Sequence, residues 1–159
     1  MSQTGSTAST IFSCLERENA AVGRFVAILQ REQDALSSGD ADRLPALSAE
    51  KSVLVEELID LAETRNSQLQ REGFAADRNG LSAWANAAGP MAVRARDHLL
   101  ELAARARELN RLNGELIAMR LTHTQAALAA LALNGREANV YGRDGHASPN
   151  TGYRIIDLA

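Results

Sequence analysis

Apolar residues recur at helical spacing from about residue 10 onward. Ile11, Leu15, Val22, Phe25, Leu29 and Leu36 fall on one stripe, which Phe12 and Val26 widen. The stripe stops at residues 37–40, Ser-Ser-Gly-Asp, where Gly39 can take the left-handed conformation that closes a helix. A second stripe of Leu44, Leu47, Leu54, Leu58, Leu61 and Leu69 follows and runs out at residues 71–74. Asp40 or Asp42 can cap this helix, and Pro45 lies in its first turn, where a missing N–H costs little. The two stripes predict helices over about residues 10–37 and 42–72.

Residues 73–89 lose the period and predict a connector with one short helix around Trp84. Gly89-Pro90 then reads as the start of a third helix, with Pro90 near its first position, over about residues 90–134. Its only internal weakness is Asn113-Gly114, whose glycine costs roughly 1 kcal/mol against alanine and need not break a long helix. This helix is longer than either of the first two, so two partners of their length leave part of it uncovered. Leu109, Leu112, Leu116, Met119, Ala126, Ala130 and Leu133 form one apolar line on it, and Ile117, Leu121, Leu128 and Leu131 a second. Either both flanking helices pack on these lines, or the C-terminal half carries a surface for another protein.

Polar residues interrupt the stripes at Glu18 and Glu32 on the first helix and at Lys51 and Arg65 on the second. An antiparallel hairpin turning at residues 41 and 42 sets Glu32 opposite Lys51 and Glu18 opposite Arg65 in a single register. The same register aligns Leu29 with Leu54, Val22 with Leu61 and Leu36 with Leu47. Ion pairs there would fix register more than add stability. The alternative is that the long basic side chains reach water from the edge of the seam. The predicted fold class is all-α: an antiparallel, coiled-coil-like bundle of three long helices with a short connector helix. A helical body over residues 1–135 is followed by a flexible C-terminal tail over residues 136–159.

Composition narrows the function classes. Apolar residues make up 45% of the 159 residues and aromatics 4%, so the core is built from Leu, Ala, Val and Ile. The net charge of -3 gives no attraction for nucleic acid or an acidic membrane. No apolar run reaches the length of a membrane span, and the N-terminus has no basic region followed by an apolar stretch, so no membrane insertion and a cytoplasmic location are expected. Cys14 is the single cysteine and reads as a packing residue inside the first helix. None of His98, His123 and His146 has a glutamate three residues before it, which excludes the di-metal bundle motif; His123 lies on the apolar line of helix three and reads as partly buried. There is no HExxH, no CxxC and no phosphate-binding glycine loop, so neither catalysis nor a cofactor is expected. Arg94, Arg96, Arg105, Arg107, Arg111 and Arg120 alternate with Asp97, Glu101, Glu108 and Glu115 without aromatics, which reads as surface ion pairing and not as a nucleic-acid face.

The tail, residues 141–159, holds both tyrosines, three glycines and a proline. Three stretches of the chain resemble the FlgN family of flagellar export chaperones: AEKSVLVEEL (49–58), ELNRLNGELI (108–117) and, most specifically, VYGRDGHAS (140–148). The resemblance implies a chaperone that binds the hook–filament junction proteins FlgK and FlgL and masks their C-terminal helices until export. It also implies an encounter with the cytoplasmic domain of the export gate protein FlhA, in which Tyr141 is the docking residue, with Gly142 and Gly145 letting the backbone turn beside Asp144. The tail is then a recognition segment. The other reading is an inert end, or one folded back through Tyr153, Ile155, Ile156 and Leu158. A chaperone that holds a client helix needs an apolar groove, which the family resemblance and the apolar lines together set at Leu116, Ile117, Met119, Leu121, Leu128 and Leu131. Such a chaperone is monomeric or a weak homodimer until it meets its client, whereas a self-assembling structural coiled coil, the alternative function, forms fixed oligomers alone.

Overall fold

The computed structural model describes the backbone of residues 4–140 and the side chains of residues 10–132. The elements are α1 (Thr4–Ser38), a 3-10 turn (Ala41–Arg43), α2 (Leu44–Arg71), α3 (Arg78–Ala88) and α4 (Pro90–Val140). No strand occurs among the described residues. The chain divides into two compact units, Met1–Ile117 and Ala118–Ala159. The first holds α1, α2, α3 and the N-terminal half of α4, and the described part of the second is the continuation of α4.

Glycines end the first two helices as their positions require. Gly39 has φ 83°, and the Asp40 N–H donates back to the Ala35 carbonyl at 3.0 Å. Gly73 also has φ 83°, with Phe74 N–H donating to Leu69 and Gly73 N–H to Gln70, the paired bonds that close a helix on a left-handed residue. The expected aspartate cap of α2 is not made. The 3-10 turn moves the helix start on, so Arg43 holds the N-cap position, and Asp40 makes no side-chain capping bond. Asp77 does cap α3, accepting from Gly80 N–H at 2.8 Å. Two helix bounds differ from the sequence expectation: α1 begins at Thr4, and α4 runs through Gly135 to Val140. A lone glycine costs a helix only about 1 kcal/mol, which is too little to stop one this long.

Three apolar clusters hold the first unit together. The largest joins the N-terminal half of α1 (Ile11, Leu15, Val22) to Leu69 of α2, to Leu81, Trp84 and Ala85 of α3, and to Ala92, Ala95 and Leu99 of α4. Ala21 and Ile28 of α1 cluster with Leu54 and Leu61 of α2, while Val26 and Leu29 of α1 cluster with Ala106 of α4. Leu29, aligned by sequence with Leu54, thus falls in the cluster with Ala106 of α4, and Val22, aligned with Leu61, falls in the largest cluster, which draws on all four helices. Because α1 faces several helices at once, Ala21 and Ile28, one residue before Val22 and Leu29, are the ones that cluster with Leu54 and Leu61. Cys14 is buried in α1. His123, expected to be partly buried, is exposed, because nothing among the described residues covers α4 from Ala118 to Ala132.

Candidate functional site

The ion pairs expected across the hairpin are present. Lys51 Nζ donates to Glu32 Oε1 at 2.6 Å, and Arg65 Nη1 donates to both oxygens of Glu18 at 2.7 and 2.8 Å. Glu18 and Glu32 are each 7% exposed, so neither pair is a surface contact. Burial pushes the Glu18 carboxyl above the ordinary carboxylate range, against the opposing pull of the Arg65 charge and its hydrogen bond. Two further pairs, Arg24–Glu57 at 2.6 Å and Arg31–Glu50 at 2.7 Å, lie on the exposed edge of the same hairpin. They border a shallow groove of about 480 Å³ lined by Ala27, Ile28, Val53 and Leu54.

Helix α4 is joined to α1 by two asparagines. Asn19 Nδ2 donates to the Ala95 carbonyl at 2.9 Å. Asn113, 1% exposed, donates to the Leu29 carbonyl at 2.9 Å and to Glu32 Oε2 at 2.8 Å. Since Glu32 also holds Lys51, one carboxylate connects α1, α2 and α4. Both contacts advance in the same direction along α1 and α4, so these helices run parallel while α2 runs against them. Sequence reading missed both asparagines. A signal for Asn113 is its place one heptad after Ala106 on the same helical face; by itself the Asn113-Gly114 pair shows only a weak point in the helix. No protein donor reaches the side-chain oxygen of either residue.

Asn113 is the last buried residue of α4 among those described, and Leu116 is half-buried. Beyond it, large apolar side chains are exposed: Ile117 50%, Met119 60%, Leu121 58%, Leu128 61% and Leu131 67%. Counted at 3.6 residues per turn, Ile117, Leu121, Leu128 and Leu131 share an arc of about 80°, which repeats the positions of Leu99, Ala106 and Asn113. Met119 lies two residues from both Ile117 and Leu121, hence on roughly the opposite side of the helix. Only Arg120 carries a formal charge between residues 116 and 134. Just before this segment the surface is ionic, with Arg111 bound to Glu108 at 2.8 Å and also to Glu115. The Glu108 carboxyl is lowered and the Arg111 guanidinium raised by that contact.

Tyr141, Gly142, Asp144 and Gly145 lie outside the described residues. Among the described residues no group of three His, Cys, Asp or Glu side chains could hold a metal ion, and no helix is long and apolar enough to cross a membrane. No curated protein and no solved structure matches the chain. One family profile, described as FlgN protein, matches residues 1–149. That match takes in all three stretches in which the resemblance was seen, and it accords with a strand-free helical bundle whose one long helix displays an uncovered apolar stripe. The chain belongs to the FlgN family, the flagellar export chaperones.

Proposed function

We propose that this chaperone binds FlgK and FlgL in the cytoplasm, masks their C-terminal helices, and delivers them to the export gate protein FlhA. The observation that carries the reading is the exposure of Ile117, Leu121, Leu128 and Leu131 on one arc of α4. Leaving four large aliphatic side chains in water on a single helix face is unfavourable unless something covers them, and an amphipathic client helix is complementary to such a face. Leu116 borders the arc. Met119 contributes from the other side, where a client that wraps the helix reaches it. The segment is nearly free of charge, which supports recognition by apolar shape, and along the same face it continues into Asn113 and Ala106, which the bundle buries. Tyr141, with Gly142, Asp144 and Gly145, is the segment assigned to the FlhA encounter on the basis of the family. The protein needs no cofactor for this work.

Gel filtration with light scattering on the pure protein, alone and mixed with FlgK or FlgL, tests the reading. A new stable complex with either is the expected result. A fixed oligomer of the protein alone, unchanged by both partners, would favour a self-assembling coiled coil that uses the same stripe.

A further inference from the structure

Asn113 and Gly114 are adjacent and opposite in character. Asn113 is the most deeply held polar residue of α4, clamped to the α1 backbone and to the carboxylate that also binds α2. Gly114 is exposed, does not have positive φ, and would meet nothing within 4 Å if it carried a Cβ. Neither close packing nor a turn therefore explains a glycine here, although alanine would suit an exposed helix interior better. From Gly114 to Ala132 every described residue but Leu116 is exposed.

We propose that Asn113-Gly114 is a clamp and hinge: the asparagine fixes the body half of α4, and the glycine lets the half bearing the apolar stripe bend independently. The proposal rests on the client-binding reading in one respect only, that the moving half is the one that meets the partner. A straight, rigid helix offers its stripe in one orientation. A helix weakened at Gly114 can turn the arc of Ile117, Leu121, Leu128 and Leu131 toward an incoming helix without disturbing the core. The clamp keeps such bending from travelling back along α4, because opening beyond Asn113 would strip Glu32 of a buried donor.

Gly23 supplies an internal control. It too lies within a helix with nothing within 4 Å of its would-be Cβ, but it stands between buried Val22 and Val26 in a helix held on both sides. Replacing either glycine by alanine gives the same gain in helix propensity, and only one replacement removes the hinge.

The test uses the full chain with Cys14→Ser and spin labels at Arg107→Cys and Thr122→Cys, two exposed sites that straddle Gly114. Double electron–electron resonance is expected to give a broad distance distribution that narrows in Gly114→Ala and keeps its width in Gly23→Ala. Hydrogen exchange of amides 111–118 is expected to slow roughly two- to five-fold in Gly114→Ala alone, the range set by the helix cost of glycine. Equal widths and exchange rates in the parent and Gly114→Ala would overturn the hinge. Asn113→Ala is expected to speed exchange back through residues 102–113, and unchanged protection there would overturn the clamp. These readouts need no client, so a parent protein that binds neither FlgK nor FlgL would count against the proposed function and not against the hinge.

Discussion

The buried pair between Glu18 and Arg65 makes a quantitative prediction about what such pairs do for this fold. Both side chains are largely withdrawn from water, at 9% and 16% side-chain exposure, and Arg65 Nη1 spans both carboxylate oxygens at 2.7 and 2.8 Å. Glu18→Leu strands a guanidinium that keeps only its hydrogen bonds to Asn66 Oδ1, at 3.1 and 3.3 Å. Breaking a fully buried pair costs about 3–5 kcal/mol, and discounting for the exposed part of Arg65, which can move toward water, gives about 2–4 kcal/mol. Arg65→Met should cost less, about 1–3 kcal/mol, because burial already favours the protonated Glu18 and the carboxyl can take up a proton. The double variant removes both desolvation penalties and should lie within about 1 kcal/mol of the parent. Urea unfolding followed by circular dichroism at 222 nm checks this. With a slope of about 2 kcal/mol per M, Glu18→Leu moves the midpoint down by about 1–2 M and the double variant by at most about 0.5 M. Single effects that simply add in the double variant would refute the reasoning, since the pair would then carry no coupling.

The same carboxyl predicts a pH effect with a definite sign. Its folded pKa is raised above the unfolded value of about 4.3, so between those values the native state binds more protons than the unfolded one, and stability falls as pH rises. Relative to Glu18→Gln, the parent should therefore be at its best at acid pH and lose ground as pH rises through that window; a parent that gains instead would mean that Arg65 outweighs burial. Gly80→Ala should destabilise by about 3 kcal/mol or more in thermal unfolding, because its Cβ would sit 1.8 Å from the Ala75 carbonyl oxygen, a backbone atom that cannot step aside. Leu128→Asp combined with Leu131→Asp should abolish client binding by pull-down with helicity unchanged, since both residues are exposed; a collapse of helicity would show that they are core residues.

Much of this protein is set by sequence that is local or locally paired. The turns at Gly39 and Gly73 follow from residues that alone tolerate positive φ, and the start of α4 follows from a proline at its first position. The hairpin register follows from charge: two acids spaced fourteen residues apart on α1 face two bases spaced fourteen apart on α2, and one antiparallel alignment satisfies both. Tertiary structure decided what a single helix cannot say about itself. Leu29 packs with Ala106 of α4, and Val22 joins a cluster drawn from all four helices, and no stripe read in isolation shows how it is shared. Asn113 became a three-helix junction because Glu32 and the Leu29 carbonyl arrive there from more than eighty residues away. The apolar arc of α4 keeps one period throughout, so its pattern is the same on either side of Asn113. Only the packing of the other helices buries Ala106 and leaves Leu121, His123 and Leu128 in water. A helix's period fixes which residues share a face, and the partners that reach that face fix whether it is core or binding site.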